Sequence, residues 1–222
     1  MTQKIDFLTS ETSWVVSRLS DLTKSLKDSG LDVSMSTDID KCIDNSSLIL
    51  VGYDKVIPKS QLQRFNSVIV VHESDLPKDR GWAPMSWQIL RGSSEIVVSL
   101  ILASEKVDAG KILDQTTIYL LGSELHDEWR KLQFEATEKL IRRYLNYSED
   151  LEIRARDQLG PFSYNRRRTV LDSQLDPDKT ISSQFNLLRI VDNEHYPAFF
   201  YIDGQRFDLA IVRRPSGDKE GE

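Results

Sequence analysis

Val68-Ile69-Val70-Val71-His72-Glu73-Ser74-Asp75-Leu76-Pro77 is the stretch from which the rest of the chain can be read. Its first four residues are β-branched and apolar at every position rather than at every second one, the pattern of a strand covered on both faces. The chain then turns polar, so His72 stands at the carboxyl end of a buried strand, where open α/β sheets place their ligand sites. Leu48-Ile49-Leu50-Val51 and residues 97–102 have the same character. Between these runs, residues 59–65 and 85–90 are short helical candidates of the kind that fit crossover connections. The pattern predicts an α/β fold with the three runs as central strands.

Working outward, residues 5–8 form a short apolar run, and Ser10 is expected to cap a helix carrying Trp14, Val15, Leu19, Leu22 and Leu26, ended by Gly30. From 123 to 147, Leu125, Trp129, Leu132, Ala136, Leu140 and Tyr144 recur at spacings of three and four, one face of a long amphipathic helix whose polar side reads as solvated. After Glu149 the composition shifts to Arg154, Arg156, Gly160-Pro161, the run Arg166-Arg167-Arg168 and an aromatic-rich segment at 196–207. The expected organisation is a domain over residues 1–150 carrying the sheet and the site, and a small C-terminal subdomain over 151–222.

Composition removes several classes of function. With 222 residues, 39% hydrophobic and 29% charged, the chain suits one domain plus an appendage. A net charge of −6 argues against a broad nucleic-acid surface, which needs clustered positive charge. The longest apolar runs fall short of the roughly 20 residues that span a bilayer, and the polar residues 1–6 do not read as a signal peptide, so the expected location is cytoplasmic, with no membrane partner. Cys42 is the only cysteine, and without a Cys/His cluster no metal is expected. No GxGxxG, Walker A or HExxH pattern occurs.

Two residues then stand out. The run at 97–102 leads into Ser104-Glu105-Lys106-Val107-Asp108-Ala109-Gly110, so an acid is expected at the same rim of the sheet as His72. Taken singly each has a plain structural role: a hydrogen-bonded histidine, and an aspartate shaping a turn before Ala-Gly. His126 and His195 read as ordinary.

In combination these residues resemble the folate-dependent formyltransferase family. His72-Glu73-Ser74-Asp75-Leu76-Pro77, Arg80-Gly81, Pro84 and Asp108-Ala109-Gly110-Lys111-Ile112 are similar to its pattern His-x-Ser-Leu-Leu-Pro, Arg-Gly, Pro and Asp-x-Gly-x-Ile. Gly52-Tyr53 and Ile57-Pro58 resemble its folate-side segment. Tyr164-Asn165-Arg166-Arg167 with Asp172, Asn186-Leu187-Leu188-Arg189 and Tyr196-Pro197-Ala198-Phe199-Phe200 resemble the later parts of sugar formyltransferases. The resemblance covers residues 48–208, and residues 74–82 and 188–193 look like the branch acting on nucleotide-linked amino sugars in pseudaminic-acid pathways. One position departs: the family carries Asn two residues before the histidine, and here it is Val70.

The resemblance implies a Rossmann-like sheet with flanking helices, the donor 10-formyltetrahydrofolate, and an acceptor such as a UDP-linked 4-amino-4,6-dideoxy sugar. It implies that His72 and Asp108 sit at the reacting centre, and that Tyr53, Val56 and Ile57 with Ser104, Lys106 and Val107 enclose the pterin. On the acceptor side it points to Arg80 and Tyr164 in the matched motifs. Trp82 is a candidate for stacking on the acceptor, Glu73 a lesser polar candidate, and Arg166, Arg167 and Arg168 candidates for a diphosphate. Val70 cannot donate to a developing oxyanion, so His72 and backbone N–H groups would have to. Two rivals follow: a methionyl-tRNA formyltransferase-like enzyme, and a non-catalytic protein that binds folate or nucleotide sugar. The C-terminal piece could close the acceptor site or pair two copies as a homodimer.

Overall fold

In the computed structural model, which describes residues 4–214, the three apolar runs are neighbouring strands. In chain order the strands are β1 (Ile5–Leu8), β2 (Val33–Ser36), β3 (Ser47–Leu50), β4 (Ser67–His72), β5 (Arg80–Gly81), β6 (Glu95–Leu102), β7 (Ile112–Tyr119), β8 (Tyr164–Asn165), β9 (Ala198–Ile202) and β10 (Gln205–Leu209). The helices are α1 (Val16–Asp28), α2 (Lys59–Leu62), α3 (Pro84–Leu90), α4 (His126–Ile153) and α5 (Phe185–Ile190). Six strands form one sheet in the order β2-β1-β3-β4-β6-β7. The first four are parallel, and β6 and β7 run antiparallel to their neighbours. Residues 1–3 of the polar N-terminus and 215–222 of the C-terminal piece lie outside the described residues.

Alternation along the strands divides the core. Phe7, Ile49, Ile69, Val71 and Leu100 pack with Leu19, Leu22 and Leu26 of α1 and Trp129, Leu140 and Tyr144 of α4. Leu8, Leu48 and Val68 belong to a second cluster with Ile39, Cys42 and Phe65. Each fully buried Leu, Ile or Val is worth about 1.5–3 kcal/mol relative to exposure, so burial on both sides fixes the central strands. The tight parallel register that this imposes sets β3 and β4 ending side by side, Leu50 against Val70. Among the described residues no helix is long and apolar enough to cross a membrane.

Three local expectations change. Ser10 does not cap α1, which begins at Val16 after Val15; its hydroxyl pairs with the Asp54 carboxylate and accepts from the Asp54 N–H at 2.9 Å, tying the loop after β1 to the loop after β3. The helix expected over 59–65 ends at Leu62. The long helix runs on to Ile153, through a non-helical residue at Tyr147 (φ −138°, ψ 29°).

Beyond it, Ile112 and Arg156 exchange two backbone hydrogen bonds of 2.8 and 3.0 Å, and β8 pairs in parallel with β5. Leu175, Leu188, Val191 and Ala198 form a separate small core. Arg189 is buried and locks that core to the main one: Nη2 lies 2.9 Å from Glu124 Oε2, Nε donates to the Glu124 carbonyl, and its own carbonyl accepts from the Trp129 indole at 2.9 Å. Burial opposes the Glu124 charge, but the N–H groups of Leu121 and Gly122 together with Arg189 outweigh it and hold the carboxyl below the ordinary range.

Candidate active site

His72 and Asp108 do meet, by a route other than a shared strand end. Because β6 is antiparallel to β4, Leu102 lies opposite Ile69 and Ser99 opposite His72, so β6 runs away from the histidine. The loop 103–111 has to fold back to bring Asp108 to it. Two features make that turn. Asp108 takes a left-handed φ of 53°, which Asp tolerates better than most residues. Gly110 lies directly against the Leu102 carbonyl, where a Cβ would overlap the oxygen and sit 2.8 Å from the carbon. The Asp-x-Gly spacing is thus a steric requirement of the fold-back. Gln158 holds the same loop from the far end of the chain, donating to the carbonyls of Asp108 and Gly110 at 2.8 Å each, and is itself gripped by Arg80.

His72 is buried and fixed from one side: Nε2 is 2.9 Å from the Asp79 carbonyl, which can only accept, so Nε2 carries the proton. Nδ1 is left facing Asp108 Oδ1 at 3.6 Å. That is longer than a hydrogen bond, and it leaves both atoms capacity for a third partner. Asp108 Oδ2 accepts from the Gly81 N–H at 2.8 Å. Gly81 (φ 93°) has no room for a side chain beside Tyr164 and the Asn165 carbonyl, which gives the Arg-Gly pair its reason. Of the five non-glycine residues with positive φ among the described residues, one is Asp108 itself and two more, Asp79 and Ala83, lie in the loop that follows His72, and such strain concentrates where geometry is functional.

The pair opens on a cavity of about 330 Å³. One wall is the apolar sheet surface of Leu50, Val70 and Ile101 with Tyr53, Ile57 and Ala103; Val56 (68% exposed) and Val107 (43% exposed) stand at its mouth, and Ser104 and Glu105 line its edge. The other wall carries Trp14, Glu73, Trp82, Arg130, Gln133 and Thr137. Glu73 Oε1 accepts from Gln133 Nε2 at 2.6 Å, and Gln133 Oε1 accepts from Arg130 Nη1 at 2.9 Å.

Of the residues singled out in sequence, His72, Asp108, Tyr53, Val56, Ile57, Ser104, Val107, Glu73 and Trp82 line this cavity, and Lys106, Arg80, Tyr164, Arg166, Arg167 and Arg168 do not. Lys106 contributes a carbonyl to the Ser104 hydroxyl at 2.7 Å. Tyr164 lies against Gly81. Arg166 is bound by Asp172 and lies 5.0 Å over the Trp87 ring; its hydrogen bond holds the Asp172 carboxyl well below the usual carboxylate range, with help from Thr169. Arg167 lies 5.0 Å over the Trp82 ring and 3.5 Å from Asp54, both of which line the cavity.

Sequence reading missed Asp79, Gln158 and Arg130. For Arg130 a signal existed: Arg130, Gln133 and Thr137 follow one another at spacings of three and four, a polar stripe on α4 beside the buried Trp129.

Comparison with known proteins agrees with this fold. The profile of the family described as formyl transferase matches residues 16–143, more than half of the chain. A methionyl-tRNA formyltransferase of Finegoldia magna is 34% identical over 105 residues, which cover 45% of this chain; the match spans 34% of that protein's length. Among solved structures, a methionyl-tRNA formyltransferase from Clostridium thermocellum superimposes with a TM-score of 0.74 at 21% identity, over 97% of this chain and 95% of that one. A sugar N-formyltransferase from a Shewanella species gives 0.67 at 15% identity, over 96% and 98%.

Proposed function

The chain belongs to the formyl transferase family, and from that membership and the meeting of His72 with Asp108 at the cavity we propose that it transfers a formyl group from 10-formyltetrahydrofolate to the amine of a nucleotide-linked amino sugar. A UDP-linked 4-amino-4,6-dideoxy sugar is the acceptor that residues 74–82 and 188–193 point to. The carrying observation is the 3.6 Å approach of Nδ1 and Oδ1 with Nε2 already committed to Asp79.

The apolar wall fits the donor. A flat heteroaromatic wants apolar faces and a few fixed polar edges, and Tyr53, Ile57, Val70 and Ile101 supply the first, the backbone of residues 103–108 the second. Bound there, the donor would supply an activated formyl carbonyl. What the chain does is hold and move protons around it. Asp108, pinned through Oδ2 by Gly81, presents Oδ1 to an attacking amine and can take its proton; His72 Nδ1, beside it, can donate to oxygen when the ring carries two protons. Glu73, held by Gln133, faces the same space and would orient the amine. Val70 gives this site no side-chain donor on the sheet wall, which puts that task on His72 and the backbone.

The nucleotide-sugar reading is favoured over tRNA by the net charge of −6, which opposes a polyanion; the identity to the Finegoldia magna protein keeps the second reading specific. His72→Ala is expected to lower turnover by at least ~10²-fold with folate binding retained. A rate near wild type would sink the assignment, and formylation of methionyl-tRNA in preference to amino sugars would overturn the acceptor.

A further inference from the structure

Arg130 is a cavity-lining cation with one edge unused. Its guanidinium lies 4.6 Å from the Trp14 ring centroid and 4.3 Å from that of Trp129. Nη1 donates to Gln133 at 2.9 Å and Nε reaches His126 Nε2 at 3.4 Å. Nη2 has no partner among the described residues, and none of the ion pairs there includes Arg130. Two carboxylates, Glu73 and Asp192, attract it electrostatically, but each accepts its hydrogen bonds from other donors. Glu73 accepts from Gln133, and Asp192 accepts from the N–H groups of Glu194 and His195 and from the His195 ring.

Burial pushes the Arg130 pKa down to about 10, outweighing the attraction of Glu73 and Asp192. A half-buried arginine with one edge unused gains from an acceptor in the cavity, and guanidinium groups match phosphate oxygens through paired N–H donors. Trp14 and Trp129 hold the Arg130 plane, so its free edge is already oriented and little rotamer freedom is lost on binding.

We propose that Arg130 anchors a phosphoryl group of the acceptor, beside Glu73, to which Gln133 links it. This rests on the transferase reading, and it moves the diphosphate contact from Arg166 and Arg167, which are paired with Asp172 and Asp54, to a cation inside the cavity.

The test is binding to the full chain at low salt, with inorganic pyrophosphate and UDP as probes, read by calorimetry and by tryptophan fluorescence, since two indoles flank the guanidinium. Both probes are expected to bind competitively, and Arg130→Gln and Arg130→Met are each expected to weaken them at least tenfold while a folate analogue binds as before. Two variants guard against one failing to fold, and melting curves without ligand identify such a case. Unchanged affinity in both folded variants, or no binding to wild type, would overturn the proposal. The two readings fail separately. A chain that binds UDP through Arg130 but never formylates loses only the transferase assignment, and one that formylates with an unaltered acceptor KM in both variants loses only this anchor.

Discussion

Gly110→Ala tests whether the fold-back of loop 103–111 is what makes the site. A Cβ at residue 110 would overlap the Leu102 carbonyl oxygen and lie 2.8 Å from its carbon, whereas carbon contacts in proteins settle near 3.5–4.0 Å. The Leu102 carbonyl cannot retreat freely, because Leu102 is paired with Ile69 in the sheet and Ile101 with Ile112. The loop must therefore yield by about 1 Å, and Asp108, two residues away, moves with it. The Nδ1–Oδ1 approach of 3.6 Å and the 2.8 Å bond from Gly81 would both lengthen. Misplacement of a reacting group by ~1 Å costs on the order of 10²-fold in rate, so a loss of kcat of that order is expected with donor binding weakened much less. The assay is formyl transfer at saturating donor, alongside thermal melting. Gly122→Ala is the control: it has a positive φ of 93° but nothing within 4 Å of the new methyl, so it should cost about 1 kcal/mol of stability and leave kcat intact. Wild-type kcat in a folded Gly110→Ala protein would refute the reasoning.

Arg189→Met leaves the Glu124 carboxylate buried without its partner and should destabilise the chain by about 3–5 kcal/mol in urea unfolding; a change under ~1 kcal/mol would mean that the lock is idle. Asp172 and Glu124 have carboxyls held below their ordinary values in the folded chain, so their contribution is present above about pH 4 and lost as pH falls further; a urea midpoint flat from pH 6 to 3 would contradict this. The Cys42 thiol, pushed up to about 11 by burial and by the Asp6 carboxylate, should resist thiol reagents at pH 8 until the chain unfolds; rapid labelling of the native protein would show the pocket around it to be open. Val70→Asn adds a donor to the cavity wall and should raise kcat, by up to ~10²-fold; an unchanged or lower rate would show that the sheet wall is not where oxyanion stabilisation is short.

The central strands were legible because burial on both faces writes itself into a local run: residues 48–51, 68–71 and 97–102 need no partner to be recognised. The two edge strands were not. In β2 (Val-Ser-Met-Ser) and β7 (Ile-Leu-Asp-Gln-Thr-Thr-Ile-Tyr) most residues are only half-buried, since an edge meets a neighbour on one side alone, and polar residues there carry no penalty that a sequence would avoid. Ser10 misled for a related reason. A serine before a helical run has a local use as a cap, and the use it actually has is with Asp54, 44 residues on.

In the site, what could be read were the positions where backbone geometry dictates residue type. Gly81 and Gly110 have no room for a side chain, Asp108 occupies a left-handed turn, and so the motif has a fixed spelling. The contacts that aim the chemistry mostly pass through backbone atoms, and a carbonyl belongs to every residue: the Asp79 oxygen that sets the His72 tautomer would be there whatever side chain residue 79 carried. Antiparallel β6 hid the route as well. The expectation of a shared strand end gave the right pair of residues for a geometry that does not occur, because spacing along the chain does not say which way the next strand runs. Arg130 shows the opposite failure. A charge on a helix is solvated by default, and what desolvates this one is Trp14, more than a hundred residues earlier, so only the third dimension turns a surface arginine into a cavity wall.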